Sequence, residues 1–187
     1  MIMKVNSRRW PAPLIAGVAA ALLALPSAGL TAETDALYAQ VGLAPVTDRI
    51  EPPEFVLRTP GGSVIDRRSL IGRVVLANFW ATWCEPCKEE MPALQRLSAE
   101  LAGEPFQLIG ITTDTRVKAI ADFTASIGVT FPVLLDEHKE VSDALLVRGL
   151  PTTVLIGRDG RLLARAVGPR AWDGPEMLRL IRSLMKS

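Results

Sequence analysis

Val74-Val75-Leu76-Ala77-Asn78-Phe79-Trp80-Ala81-Thr82-Trp83-Cys84-Glu85-Pro86-Cys87-Lys88-Glu89-Glu90-Met91-Pro92 is the stretch that orders the reading of this 187-residue chain. It holds the only two cysteines, Cys84 and Cys87, separated by two residues. The apolar run Val74 to Phe79 predicts a buried strand. Met91, Leu94, Leu97 and Leu101 then recur at helical spacing, so a helix follows. The pair therefore sits where a strand ends and a helix begins. A thiol there faces unpaired backbone N–H groups and the positive end of the helix dipole, which favour the thiolate. Only the thiolate attacks, so Cys84 is expected to be the nucleophile and Cys87, one turn in, the more buried resolving thiol.

Three plainer readings of the pair compete with this one. Zinc wants about four ligands, and besides the two cysteines there is one histidine, His138, far along the chain. A purely structural disulfide closing so short a loop removes little entropy from the unfolded chain. Two unrelated buried thiols are the third alternative. A Cys-x-x-Cys that follows a buried strand, is preceded by Trp83 and opens a helix favours redox chemistry over all three.

Trp83-Cys84-Glu85-Pro86-Cys87-Lys88 resembles the thioredoxin superfamily, and its flanks resemble the TlpA/ResA-type thiol–disulfide oxidoreductases of the bacterial cell envelope. Those flanks are Asn78-Phe79-Trp80-Ala81-Thr82-Trp83, Gly149-Leu150-Pro151-Thr152-Thr153 and the turn Arg158-Asp159-Gly160. The resemblance covers Glu51 to the C-terminus. It implies an α/β thioredoxin fold: a mixed central sheet, helices on both faces, an N-terminal β-hairpin and a central αβ insertion. It implies catalytic roles for Cys84, Cys87, Glu90 and Pro151, with Trp83, Glu85, Pro86 and Leu150 meeting the substrate. Pro151 is implied to be cis, leaving the Leu150 backbone free to pair with an extended substrate segment. Thioredoxins carry a buried Asp where Asn78 stands. An amide cannot take up a proton, so that route to the buried thiol is closed. Glu90 matches the active-site glutamate of the ResA-like proteins, and burial would raise its pKa and let it exchange a proton with the cysteines. The plainer reading is a solvated Glu90 beside Glu89. Glu85, between the cysteines, opposes thiolate formation.

Composition narrows the class. Apolar residues make up 49% of the chain, ample for a core, and a net charge of +1 gives no basic surface for nucleic acid. Lys4, Arg8 and Arg9 precede every acidic residue. Setting them aside leaves 18 basic residues against 20 acidic. They are followed by the apolar stretch Ala12 to Leu25 and the small residues Ser27 to Ala32. That is the layout of a secretory signal peptide, and the stretch is shorter than the roughly 20 residues of a membrane span. Residues 1–32 are therefore expected to be a signal peptide cleaved near Ala28 to Ala32, or else an N-terminal membrane anchor. No cysteine lies there to carry a lipid. Either way the domain is expected in the periplasm or on the outer face of the bacterial cytoplasmic membrane. Residues 33–50 read as a linker or N-terminal arm, with a turn or two of helix at Asp35 to Val41. Residues 51–187 read as the thioredoxin-like domain.

Within that domain, Phe55-Val56-Leu57 and Ser63-Val64-Ile65 flank a Gly-rich turn and predict a hairpin. Pro92 removes a backbone bond from the cysteine helix. Phe106 to Ile111 is a strand. Thr113-Asp114-Thr115 offers an N-cap for a helix whose inner face would be Val117, Ile120, Ala121 and Phe123. Phe131 to Leu135 is a further strand, His138 lies in a charged turn and reads as solvated, and Val141 to Val147 is a short helix. Thr153 to Ile156 and Leu162 to Val167 are strands, the second at a sheet edge. The last helix would turn Met177, Leu178, Ile181, Leu184 and Met185 inward, with Trp172 packing at its start.

The expected reaction is exchange through a mixed disulfide on Cys84, resolved by Cys87. It needs no cofactor beyond the redox-active Cys84–Cys87 disulfide, and no metal. Trp80 and Trp83 would shield the site and offer an apolar docking surface, with core packing as the alternative for Trp80. Glu-Pro between the cysteines is the pair of ResA-like reductants. That resemblance implies protein substrates with disulfides, such as apocytochrome c or the cysteines of a copper-delivery protein. It also implies a membrane thiol-transfer electron donor, with the protein itself read as a monomer. Two rival classes are a disulfide-forming oxidant and a Cu(I)-binding chaperone using both thiolates and Met91. A peroxidase fits poorly, because Thr82 and Cys84 do not reproduce the Thr-x-x-Cys of peroxiredoxins.

Overall fold

The computed structural model describes residues 28–48 and 50–186. In chain order the elements are α1 (Ala28–Gln40), β1 (Ala44–Pro45), β2 (Val56–Arg58), β3 (Val64–Asp66), a 3₁₀ turn (Arg67–Leu70), β4 (Val74–Trp80), α2 (Glu85–Glu100), β5 (Phe106–Thr112), α3 (Val117–Ser126), β6 (Val133–Leu135), α4 (Glu140–Ala144), β7 (Thr152–Ile156), β8 (Leu162–Val167) and α5 (Pro175–Leu184). All seven residues of β4 are buried. A strand covered on both faces needs apolar side chains throughout, which is why it appears in the sequence as an unbroken run.

The eight strands described form one sheet in the order β1-β8-β7-β4-β5-β6-β2-β3. β4 runs parallel to β5, from Val74 opposite Phe106 to Trp80 opposite Thr112. It runs antiparallel to β7, from Val75 opposite Ile156 to Phe79 opposite Thr152. The sheet is therefore mixed. One face packs Leu76 and Trp80 against Met91, Leu94 and Leu97 of α2 and Met177, Leu180 and Ile181 of α5. The other packs Val75, Ala77 and Phe79 against Val141 and Leu145 of the α4 region. The expected hairpin is present: β2 pairs with β3 and joins the sheet through Arg58 opposite Leu135. The α3–β6 unit is the central insertion, with β6 parallel to β5. Fold class and hairpin are as the resemblance implies.

The structure departs from five expectations. Residues 33–50 are not a bare linker. They carry most of α1, which packs on α5, and β1, which pairs Ala44 with Arg165 and Pro45 with Ala164. Leu37, Tyr38 and Leu43 are buried in the main core, so the arm is held by tertiary burial. Its Ala-rich sequence has no clean apolar stripe to announce a helix. For the same reason β8 is not an edge strand: β1 covers it, and the Val46 and Leu162 N–H groups bond to Leu163 and Ile50 carbonyls. Asp114 does not cap α3, whose N-cap is Arg116 with no side-chain cap bond; Asp114 turns inward instead. On α3 Ala121 is exposed, and on α5 Leu180 takes the fully buried place expected of Leu178. The signal-peptide reading of residues 1–32 falls almost wholly outside the described residues. Among those described, no helix is long and apolar enough to cross a membrane.

Candidate active site

β4 ends at Trp80, and the chain turns through Ala81-Thr82-Trp83 into α2. The turn is pinned by a residue distant in sequence. The Thr82 N–H donates to Asp114 Oδ2 at 2.6 Å, and Asp114 is itself buried two residues beyond β5. Because Trp80 and Thr112 are paired, the chain leaving β5 emerges beside the chain leaving β4. Cys84 follows as the N-cap of α2, with Pro86 in the first turn. A proline there removes an N–H that would lack a helical partner anyway.

The Cys84 and Cys87 sulfurs are bonded, with their Cα atoms 5.3 Å apart. Cys84 keeps 5% of its surface exposed and Cys87 none, so an incoming sulfur reaches Cys84. Trp83 is 68% exposed. Trp80 is buried in the core, its ring 5.5 Å from that of Phe123, so of the two tryptophans only Trp83 presents a broad face to solvent. Glu85 and Pro86 are exposed. The Glu85 carboxylate meets Lys88 Nζ at 2.5 Å, which offsets the negative charge between the cysteines.

Glu90 and Glu89 part company: Glu89 faces water and Glu90 is buried. Glu90 lies one turn beyond Cys87 on the same side of α2. Asn78 Nδ2 donates to its Oε1 at 2.8 Å, and Trp172 Nε1 donates to its Oε2 at 2.7 Å. The Arg170 backbone N–H reaches Oε2 at 3.3 Å. Burial raises the Glu90 pKa above the ordinary carboxylate value; the three hydrogen bonds and the nearby Arg170 charge pull it back only in part. Asn78 also donates to Thr153 Oγ1 at 2.9 Å.

Pro151 is joined to Leu150 by a cis bond. Thr152 pairs with Phe79, so this turn lies at the same end of the sheet as the cysteines. Leu150 packs on both cores and, with Trp83, lines a cleft of about 280 Å³. Among the described residues no hydrogen bond engages the Leu150 N–H or C=O. Cys84, Cys87 and Glu90 thus follow one another along the start of α2 with Glu85 and Pro86 between the cysteines, Trp83 shares a cleft with Leu150, and Pro151 lies at the same end of the sheet. His138 is exposed in its turn.

Three contributors escaped the sequence reading in part or whole. Asn78 was noted only for what it cannot do, yet alternation along β4 puts it on the α2 face with Leu76 and Trp80. Asp114 could have been placed by its position just past the strand parallel to β4. Trp172 packs at the start of α5 as expected, and no local pattern signals its hydrogen bond to Glu90.

Residues 51–165 match the AhpC/TSA family. Over 127 residues the chain is 35% identical to the thiol-disulfide oxidoreductase ResA of Bacillus subtilis (strain 168), covering 68% of this chain and 71% of that protein. The chain belongs to the AhpC/TSA family as a ResA-type thiol–disulfide oxidoreductase. A thiol:disulfide interchange protein of the thioredoxin family from Chlorobium tepidum TLS superposes with a TM-score of 0.65 at 25% identity, over 75% of this chain and 99% of that one. StoA from Bacillus subtilis superposes at 0.56 with 26% identity, over 63% and 90%. The reaction of a ResA-type oxidoreductase is thiol–disulfide exchange, and this chain has one cysteine pair to perform it.

Proposed function

We propose that the protein is an extracytoplasmic reductase of protein disulfides. The observation that carries the proposal is the layering of the site. Cys84 caps α2 at the surface, Cys87 is sealed beneath it, and a buried carboxylate stands one turn further in. In the reduced enzyme the Cys84 thiolate, favoured by the helix N-terminus, attacks one sulfur of a substrate disulfide. The substrate bond breaks, a Cys84–substrate bond forms, and the departing sulfur leaves as thiolate. Glu90 takes the Cys87 proton, and the Cys87 thiolate attacks Cys84 Sγ. The second substrate sulfur leaves and is protonated. Two electrons have passed from the cysteine pair to the substrate, and the Cys84–Cys87 disulfide remains.

The free backbone groups of Leu150, beside cis Pro151, suit pairing with an extended substrate segment. Trp83 offers it an apolar face, with Glu85 and Pro86 at the rim. No cofactor beyond the disulfide is needed. A membrane thiol-transfer protein would return the pair to the dithiol. Clients of fitting chemistry are apocytochrome c and the cysteines of a copper-delivery protein. Residues 1–32 would direct the chain across the membrane as signal peptide or anchor, and the domain would act there as a monomer.

The test is the reduction potential of Cys84–Cys87, measured by equilibrating the purified protein against thiol buffers at pH 7. The expected value lies below that of the glutathione couple, taken as about −240 mV. A value near about −120 mV would make the protein a disulfide donor and overturn the reading.

A further inference from the structure

The loop between β8 and α5 lies outside the cysteine motif and the cis-proline motif, yet it bonds to both. The Gly168 N–H donates to the Pro151 carbonyl at 2.8 Å. Two residues on, the Arg170 N–H meets Glu90 Oε2, and two further on Trp172 Nε1 meets the same oxygen. The Arg170 guanidinium ties the loop together. It donates to the carbonyls of Val167, Gly168 and Pro169, and to Gly42 of the N-terminal arm.

Trp172 has no exposed surface. A buried indole has one polar atom, whose N–H usually finds an acceptor; that of the buried Trp80 has none among the described residues, so the bond made by Trp172 is not forced by burial alone. That bond goes to a carboxylate and is the shortest hydrogen bond Glu90 receives. Asn78 holds the other carboxylate oxygen from the opposite side. With Oε1 tied to β4 and Oε2 tied to the β8–α5 loop, rotation of the carboxylate is blocked at both ends. Packing alone would be served as well by an apolar ring, whereas a hydrogen bond to a buried carboxylate constrains both its plane and its charge.

We propose that Trp172 is a positioning residue for disulfide exchange: from the loop that also bonds Pro151, its indole N–H fixes the carboxylate of Glu90, one turn beyond Cys87 on the cysteine helix. The inference rests on Glu90 acting as the proton acceptor, as set out above. Around Glu90 are Cys87 one turn before it on its own helix, uncharged Asn78 from β4 with Thr153 behind it from β7, and Arg170 and Trp172 from the loop. Arg170 is the one fixed charge among them.

The experiment measures disulfide exchange by the full chain against pH for wild type, Glu90→Gln, Trp172→Phe and the double variant. Loss of the indole N–H removes a bond that favours the charged carboxylate, so the Glu90 inflection should move to higher pH in Trp172→Phe. The rate at pH 7 should fall about tenfold, the equivalent of one charge-assisted hydrogen bond. In the Glu90→Gln background Trp172→Phe should have no further effect on the profile. If Glu90→Gln leaves the profile unchanged, the proton-acceptor reading fails and takes the inference with it. If Glu90→Gln alters the profile and Trp172→Phe does not, Trp172 is packing only. A second measurement does not depend on that variant folding. The wild-type Trp172 indole N–H resonance, assigned by elimination with variants of the other three tryptophans, Trp10, Trp80 and Trp83, should titrate with the midpoint of the rate inflection and stop titrating in Glu90→Gln. An indole resonance that ignores pH overturns the inference.

Discussion

Val75, Ala77 and Phe79 on one face of β4, and Val74, Leu76, Asn78 and Trp80 on the other, come from a single strand buried on both sides. The first face is wholly apolar and meets Ile109, Ile111, Val154 and Ile156 of its neighbours. The second interrupts its apolar row once, at Asn78, and from that amide a buried network runs to Glu90 and on to Trp172. Burying a polar group costs free energy unless it is bonded; on this face Asn78 Nδ2 is bonded to Glu90 and Thr153, while Asn78 Oδ1 and Trp80 Nε1 have no partner among the described residues. The second face therefore had to recruit partners from α2 and from the loop before α5, whereas the first needed only shape. One face supplies stability, and the other gives up some of it to hold a carboxylate under the cysteines.

The contrast can be broken most forcefully on the apolar face. Phe79→Ala should destabilise the fold by about 3–5 kcal/mol, the usual cost of emptying a buried aromatic site, as read by denaturant unfolding. The inflection in the exchange–pH profile of the molecules still folded should stay in place. A shifted inflection would mean that the two faces are not independent.

On the polar face the ordering should invert. Asn78→Ala should cost about 1–3 kcal/mol, because Glu90 Oε1 loses its donor inside the core, while the exchange inflection moves to higher pH. An unfolding midpoint within error of wild type would show that the network contributes little to the fold.

The smallest effect sharpens the comparison through pH. Burial lifts the Glu90 pKa above its ordinary 4.5. Between 4.5 and the raised value the folded chain binds more protons than the unfolded one. Stability from this group is therefore complete below 4.5 and is lost as pH rises through the raised value. Glu90→Gln removes that slope. The wild-type melting temperature, taken relative to the variant, should fall as pH rises through this window. Parallel curves would mean that the Asn78, Trp172 and Arg170 donors fully offset the cost of burying the charge.

The legible parts of this protein share a physical character. The β4 run, the stripe of α2, the hairpin turn and the strand–cysteine–helix junction are local patterns set by period and by turn chemistry. They give the individual elements and put Cys84 and Cys87 at the start of α2; the mixed sheet and its insertion are what the resemblance implies. Glu90 was named from the resemblance, but its burial could not be read: Glu89 and Glu90 are adjacent, and only the packing of α2 on β4 decides which faces the core. The N-terminal arm leaves little local signal, because α1 has no stripe of its own and is held by α5, while β1 is held by β8. Asp114 looked like a helix cap because Asp near a helix start usually is one. Its actual bond, to Thr82, spans 32 residues.

By itself the sequence determined the reactive pair, its place at a helix N-terminus and the strands that carry it, since each depends on residues close together in the chain. The tertiary structure alone decided which carboxylate is buried, what bonds it, and that one loop serves both Glu90 and Pro151. Those contacts join residues some 80 positions apart, as Trp172 joins Glu90, and no local pattern encodes a partner at that distance.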